Sequence, residues 1–488
     1  IMNSEIRQLE PKALWSKFAD LNAVPRHSKK EERVIAFMKN FGENLGLENI
    51  VDEVGNVIIK KPATEGMENR KGIILQGHMD MVPQKNADTE HDFEKDPIDA
   101  YVDGEWVTAK GTTLGADNGM GVAAGMAVLE ATDIEHGPGE VLITMDEETA
   151  MTGAENLKAG VLDGDILMNL DSEDEGELYI GCAGGVDTNG EFKYKAEDTP
   201  EGMAAYKVSV KGLKGGHSGL DIHHGRGNAN KIMNVLLMKA FEKYGVRLAE
   251  INGGSLRNAI PRESFVTVVL PEDKKADFEA FIGEFEEIAQ DEFKEADPGL
   301  VVLAEATEVP AKIIDEKTQK NLYDAVAGCP NGLIKMSENV KGIVETSTNL
   351  AIVKSDGKKL QLCTLNRSLV DDDRDKLAAE IRTVFEAAGA KAVSEGAYPG
   401  WKPNPDSDIL KEMKEIYNNK YGKIPEVKVI HAGLECGILG ATYPNWDMIS
   451  FGPTIRNPHS PDEMVKIDTV ELFYDFLVET LKHVPEKK

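Results

Sequence analysis

Residues 73–83 read IILQGHMDMVP: three aliphatic side chains after Gly72, then an abrupt change to Gly77, His78, Met79 and Asp80. An apolar run of that length, bounded by Gly and a polar cluster, predicts a short buried strand running out into a loop. The pattern recurs along the chain. Val141 to Met145 ends in Asp146, Glu147 and Glu148, Ile166 to Leu170 ends in Asp171, and Asp447 to Phe451 leads through Gly452 to a loop with His459. Between them, GTTLGADNGMG sets Asp117 in a glycine-rich turn ahead of a small-residue helical stretch, Val122 to Glu130. In an open α/β sheet, the loops leaving the carboxyl ends of the strands form the ligand crevice. These segments are therefore expected to bring His78, Asp117, Glu148, Asp171 and His459 to one edge of one sheet. That expectation constrains the topology, because a segment near residue 459 must join a sheet begun before residue 80.

Carboxylates gathered so densely repel one another unless a cation neutralises them. Two His and three carboxylates, all N and O donors with no thiolate, suit divalent zinc, cobalt or manganese. The rest of the composition bounds the partners. A net charge of -30 argues against nucleic acid or an anionic membrane surface, both of which need basic patches. Cys182, Cys329, Cys363 and Cys436 are far apart and lack CxxC spacing, as expected of reduced thiols in a cytoplasmic protein. No apolar run reaches membrane-spanning length and no signal pattern opens the chain, so a cytoplasmic location is expected.

A length of 488 residues exceeds one ordinary core and predicts two domains or three. Helices are expected at Pro11 to Leu21 and around Lys30 to Leu45, then paired strands from Asn49 to Ile59 through a turn at Gly55. Strand and helix alternate from 73 to 180, the pattern of an α/β unit. The character shifts near Gly184 and Gly185. Strand, helix, strand, strand, helix patterns follow, with strands at Tyr206–Val210 and Phe265–Leu270 and helices at Ala229–Tyr244 and Lys274–Phe293 among them, and a similar set covers Glu316 to Ala388. The second set reads as a loose repeat of the first. After Gly400 come a helix (Ile409 to Tyr421), a glycine-rich turn (His431 to Gly440), a strand and a last helix, Val470 to Leu481. Because His459 lies beyond this stretch, the expected division is a catalytic domain in two parts, 1–185 and 397–488, with an α+β domain inserted at 186–396.

The motifs HMDMVP, GTTLGADNG, NLDSEDEGE, GCAGG, KGLKGGHSG, NGGSLRNAIPRE, HAGLECG and GPTIRNPHSPDE, with the MDEE element, together resemble the aminoacyl-histidine dipeptidases, a branch of the M20 metallopeptidases. The resemblance runs nearly end to end. It implies an α/β, zinc-peptidase-like catalytic domain with a mixed sheet flanked by helices, an inserted lid domain, and two divalent metal ions, zinc before cobalt or manganese. It also implies Asp117 as the carboxylate shared by both metals, His78 and Asp171 as the further ligands of one, and Glu148 and His459 as those of the other. Glu147 becomes the general base and Asp80 the carboxylate that orients His78. Where the wider family has Lys after the shared Asp, this chain has Asn118, as the histidyl-dipeptidase branch does.

Substrate residues are expected as well. His217 in GGHSG resembles the family's transition-state-stabilising His. Arg367 suits bidentate binding of a peptide's terminal carboxylate. His431 and Glu435 are expected on the catalytic domain near the cleft. His223 and His224 read as solvated surface, and His27, His91, His136 and His483 as structural. GMGVAA at 119–124 meets a dinucleotide fingerprint but follows Asp117 and Asn118 instead of an apolar strand. The function implied is metal-dependent hydrolysis of small peptides, dipeptides ending in His included. An M20-type aminoacylase or carboxypeptidase, and a non-catalytic metal- or peptide-binding protein, are the alternatives, and a homodimer remains open. A free acid at Glu147 is what a binding protein would not need.

Overall fold

The computed structural model describes residues 2–86 and 88–488. Two compact units divide the chain: Ile1–Gly181, Trp401–Val429 and Leu434–Lys488 form the first, and Cys182–Gly400 with Ile430–Gly433 form the second.

The first unit is built on an eight-stranded sheet in the order Glu48–Val51, Val57–Lys61, Gly139–Thr144, Ile73–His78, Ile166–Asn169, Asp447–Ser450, Glu177–Cys182, Glu426–Ile430. Strands 139–144, 73–78, 166–169 and 447–450 run parallel as a block. Ile73–His78, inside that block, is buried at every position. Strands covered on both faces lack the alternation of a half-exposed strand, which explains the unbroken apolar run in the sequence.

Helix Ala116–Glu130 is buried along nearly its whole length and packs on strand 73–78 and on helix Lys12–Asn22. Two glycines make its close approach to the sheet possible. A Cβ on Gly121 would lie 2.5 Å from the Leu170 carbonyl oxygen, and one on Gly125 3.1 Å from Val141 Cγ1.

A second sheet of four strands, in the order Ile455–Arg456, Met464–Lys466, Trp106–Ala109, Ala100–Asp103, was not expected. Strands of two to four residues carry too few side chains to show alternation. This sheet nonetheless matters, because the loop between its first two strands carries His459. The stretch expected to be a glycine-rich turn at 431–440 is instead largely helix, Glu435–Thr442. Its Gly437 and Gly440 reduce helix propensity, but most helical stability in proteins comes from packing, and Cys436 and Leu439 are buried.

The second unit holds a nine-stranded sheet, with eight strands in the order Val301–Thr307, Met203–Lys211, Ser264–Pro271, Arg247–Gly253, Val344–Ser355, Lys359–Ser368, Gly184–Lys193, Lys391–Tyr398, and Gly332–Met336 beside 344–355. Helices Ala229–Tyr244, Lys275–Glu292, Glu316–Gly328 and Asp371–Ala387 bury their apolar faces in one core with it. The repeat is visible in the sheet: four strands of one half, 301–307, 203–211, 264–271 and 247–253, meet four of the other, 344–355, 359–368, 184–193 and 391–398, edge to edge at Asn252–Gly253 and Val353–Lys354.

Candidate metal centre

The carboxyl ends of the parallel strands deliver most of the expected groups. His78 ends strand 73–78, in register with Thr144 of the neighbouring strand, after which Asp146, Glu147 and Glu148 follow. Asp171 leaves strand 166–169 two residues past its end. Asp117 is at the start of helix 116–130, where the Asp117–Asn118 peptide is cis and the Asn118 Oδ1 accepts the His78 amide at 3.0 Å.

Ligand atoms of His78, Asp117 and Asp171 lie within 4.8 Å of one another, and so do those of Asp117, Glu148 and His459. Asp117 belongs to both groups, one oxygen on each side: Oδ1 is 3.1 Å from His78 Nε2 and Oδ2 is 3.0 Å from His459 Nε2. His459 Nε2 is also 2.9 Å from Glu148 Oε2. Asp171 Oδ2 stands 3.5 Å from His78 Nε2.

The tautomer of His78 follows from its other nitrogen. Nδ1 is 3.0 Å from the Asp80 carbonyl and 3.1 Å from Asp80 Oδ1, both acceptors, so it carries a proton and leaves Nε2 to face Asp117 and Asp171. Asp80 is fully buried and does more than orient this ring. Its Oδ1 accepts the Glu147 amide at 3.0 Å and its Oδ2 accepts the Glu148 amide at 3.2 Å and the Ser28 hydroxyl at 2.7 Å. Burial pulls its carboxyl upward, but the hydrogen bonds from His78, Ser28 and the Glu147 amide outweigh that and hold it below the usual range.

These donors fit divalent cations. Glu148 Oε1 is shut off from solvent and has no hydrogen-bond partner. Burial, followed by neighbouring carboxylates, pushes Glu147 and Asp171 well above the carboxylate range, with His78 opposing. Carboxylate oxygens and imidazole nitrogens crowded this closely, with no thiolate among them, are suited to zinc, cobalt or manganese. Proximity alone does not separate Glu147 from the ligands, because it too meets His78 and Glu148 within the same span. What separates the adjacent acids is His459, which pairs with Glu148.

Several residues around this centre were missed by sequence reasoning. Arg26, 2% exposed, donates from Nη1 to the Met79 carbonyl at 3.2 Å and from Nη2 to the Gly115 carbonyl at 2.9 Å. Glu31 accepts the Asp146 amide at 2.8 Å. With Ser28, one short segment thus holds the loops bearing His78, Asp117 and Glu147. Glu463 accepts the amides of Leu114, Gly115 and Asp117. All but Ser28 act here on main-chain groups alone, which leave no signature in sequence spacing.

The second unit carries its own polar group. His217 Nδ1 accepts the amides of Gly219 and Leu220 at 2.9 and 3.0 Å, so the ring proton is on Nε2, and burial with Arg367 nearby keeps the ring neutral. Arg367, 4% exposed, reaches Ser218 Oγ from Nε and Nη2 at 3.4 and 3.2 Å and the Tyr398 hydroxyl from Nη1 at 3.3 Å. No carboxylate among the described residues forms an ion pair with it. Gly219 is obligatory in this cluster, since a Cβ there would lie 1.9 Å from the His431 carbonyl oxygen.

One expectation is corrected. His431 belongs to the second unit and not to the catalytic part, because its Nε2 is 2.7 Å from Ser347 Oγ and the Ala183 amide donates to Ile430 next to it. Glu435 does belong to the first unit, but it is 1% exposed and accepts from Gln76 Nε2 at 3.0 Å. It opens helix Glu435–Thr442, and its charge bears on His78, Glu147 and Asp171.

The profile of peptidase family M20/M25/M40 matches residues 74–483. The cytosol non-specific dipeptidase of Escherichia coli K12 is 44% identical over 484 residues, covering 99% of this chain and all of that protein. The crystal structure of aminoacylhistidine dipeptidase from Vibrio alginolyticus superposes with a TM-score of 0.94 at 49% identity, covering 99% of both chains. An aminopeptidase structure from Bacillus cereus, at 15% identity and a TM-score of 0.57 over 98% of this chain and 99% of that one, shares the fold.

Proposed function

The chain belongs to peptidase family M20/M25/M40, and on that premise we propose that it hydrolyses unblocked dipeptides, those ending in His among them, with two divalent cations. Zinc is the ion assigned, with cobalt and manganese as alternatives for the same donors. His78, Asp117 and Asp171 would hold one cation, and Asp117, Glu148 and His459 would hold the other. The observation that carries this reading is the sharing of Asp117 between two ligand groups, one through each carboxylate oxygen. The names of the two similar dipeptidases support the substrate class.

Cations held there would supply Lewis-acid activation of water and polarisation of the scissile carbonyl. The chain's own groups do the remaining work. Glu147 takes a proton from the attacking water on its carboxylate and returns it to the leaving amine. Asp80 keeps the proton on His78 Nδ1 and fixes the Glu147 and Glu148 amides, so the base and the ligand beside it keep their orientation. The residues of the second unit are assigned by their chemistry. His217 Nε2–H is a neutral donor for the developing oxyanion. Arg367, a buried guanidinium without a carboxylate partner, binds the substrate's terminal carboxylate, with His431 beside it shaping specificity.

A carboxylate clamp measures substrate length. Leaving a buried charged group unpaired costs about 1–3 kcal/mol or more, or roughly tenfold to hundredfold in affinity. The test is a panel of dipeptides, their C-terminal amides and tripeptides, assayed with metal-depleted and zinc-restored protein. Turnover is expected only after restoration, with dipeptides favoured over their amides at least tenfold. Equal kcat/KM for a dipeptide and its amide would remove the clamp. Full turnover by depleted protein would remove the metals.

A further inference from the structure

We propose that Glu463 is a positioning residue for the ligand group Asp117, Glu148 and His459. The proposal rests on the two-metal reading above and adds what makes the second group a site.

His459 is the exposed member of that group. Its side chain is half open to solvent and its backbone is left-handed, φ 65°, a conformation unfavourable for a residue with a Cβ. Among the described residues its ring pairs only with Asp117 and Glu148. Little in the immediate surroundings therefore aims the ring. The loop that carries it runs between strands Ile455–Arg456 and Met464–Lys466 and ends at Glu463.

Glu463 is 2% exposed, and its carboxylate is spent entirely on the loop of the shared ligand. Oε1 accepts the amides of Leu114 and Gly115, both at 2.9 Å, and Oε2 accepts the amide of Asp117 itself at 3.1 Å. Its main chain is fixed in turn: the Thr108 hydroxyl donates to the Glu463 carbonyl at 2.8 Å and its amide donates to Ser460 at 3.0 Å. From the other side, Arg26 Nη2 holds the Gly115 carbonyl. One carboxylate thus joins the loop bearing Asp117 to the loop bearing His459, although the two ligands are 342 residues apart. The other group shares Asp117 but takes its remaining ligands from the sheet, His78 on a central strand and Asp171 just past another, so it depends on this junction through Asp117 alone.

Glu463→Gln keeps the size of the side chain but turns one acceptor oxygen into a donor that faces an amide. Metal-depleted full-length protein should be titrated with Co2+, following visible absorption and heat, for the wild type, Glu463→Gln, Glu463→Asp and His459→Ala. Wild type is expected to take up two equivalents and His459→Ala one. Glu463→Gln is expected to keep one tight equivalent and to bind the second roughly tenfold or more weakly, as loss of a ligand-orienting contact does. Excess Co2+ should restore its second site and its turnover, because all the ligands remain, and should not restore His459→Ala. Circular dichroism establishes folding, and if Glu463→Gln does not fold, Glu463→Asp, charged but one methylene too short to reach all three amides, decides. Two equivalents bound with wild-type affinity in the folded Glu463 variants would overturn the proposal, as would equal weakening of both sites. Fewer than two equivalents in the wild type would instead overturn the two-metal reading, and this proposal with it.

Discussion

Both ring nitrogens of His78 are committed, Nδ1 to Asp80 and Nε2 toward Asp117 and Asp171. The acids that follow Asp146 are held by their amides on the same Asp80 carboxylate, yet only Glu148 meets His459. Glu147→Gln is therefore expected to retain two metals and the fold while losing turnover by about 10²- to 10⁴-fold, the usual contribution of proton transfer. Glu148→Gln should lose metal affinity instead. Elemental analysis beside steady-state kinetics separates the two, and exchanged phenotypes would mean the acids are assigned the wrong way round. At this scale the groups that face the centre were legible, because each follows an apolar run or a glycine-rich turn. Arg26, Glu31 and Glu463 were not, since a side chain that hydrogen-bonds a distant peptide group has no partner residue type to betray it.

Helix Ala116–Glu130 carries Asp117 at its start and lies against the sheet through glycines. Gly121→Ala would press a methyl on the Leu170 main chain at 2.5 Å, whereas Gly125→Ala meets a Val141 methyl at 3.1 Å that can give way. Gly121→Ala is expected to cost about 1–3 kcal/mol, the range for overpacking, and Gly125→Ala less. Melting temperatures of the two variants check the order, and a Gly125 variant less stable than its Gly121 counterpart would contradict it. Long elements with a clear period were readable to within a few residues, as the helices at Ala229–Tyr244 and Lys275–Glu292 show. The four-stranded sheet bearing the His459 loop was invisible, because its strands, two to four residues long, span at most two periods of alternation. The helix at Glu435–Thr442 was hidden by glycines whose cost packing offsets.

Each unit of the molecule keeps its own charged centre, and that of the second unit has a pH dependence with a definite sign. Burial first, then the charges of Arg367, His217 and His223, push His431 from 6.5 down to about 3. Between those pH values the unfolded chain binds a proton at this residue that the folded chain does not. Stability is therefore full above pH 6.5 and falls as pH drops, by at most about 1.4 kcal/mol per pH unit for one proton. Urea midpoints measured from pH 7 to 4 should show a shallower fall for His431→Asn, and an unchanged slope would place the proton elsewhere. The central claim, however, concerns the first unit, where segments from nearly the whole length of the chain, His78 to His459, meet on Asp117. Anomalous diffraction at the zinc edge from crystals of the zinc-loaded protein tests it most directly. Two peaks are expected, one on each side of the Asp117 carboxylate, the first bounded by His78 and Asp171 and the second by Glu148 and His459. A single peak, or two that do not share Asp117, would contradict it.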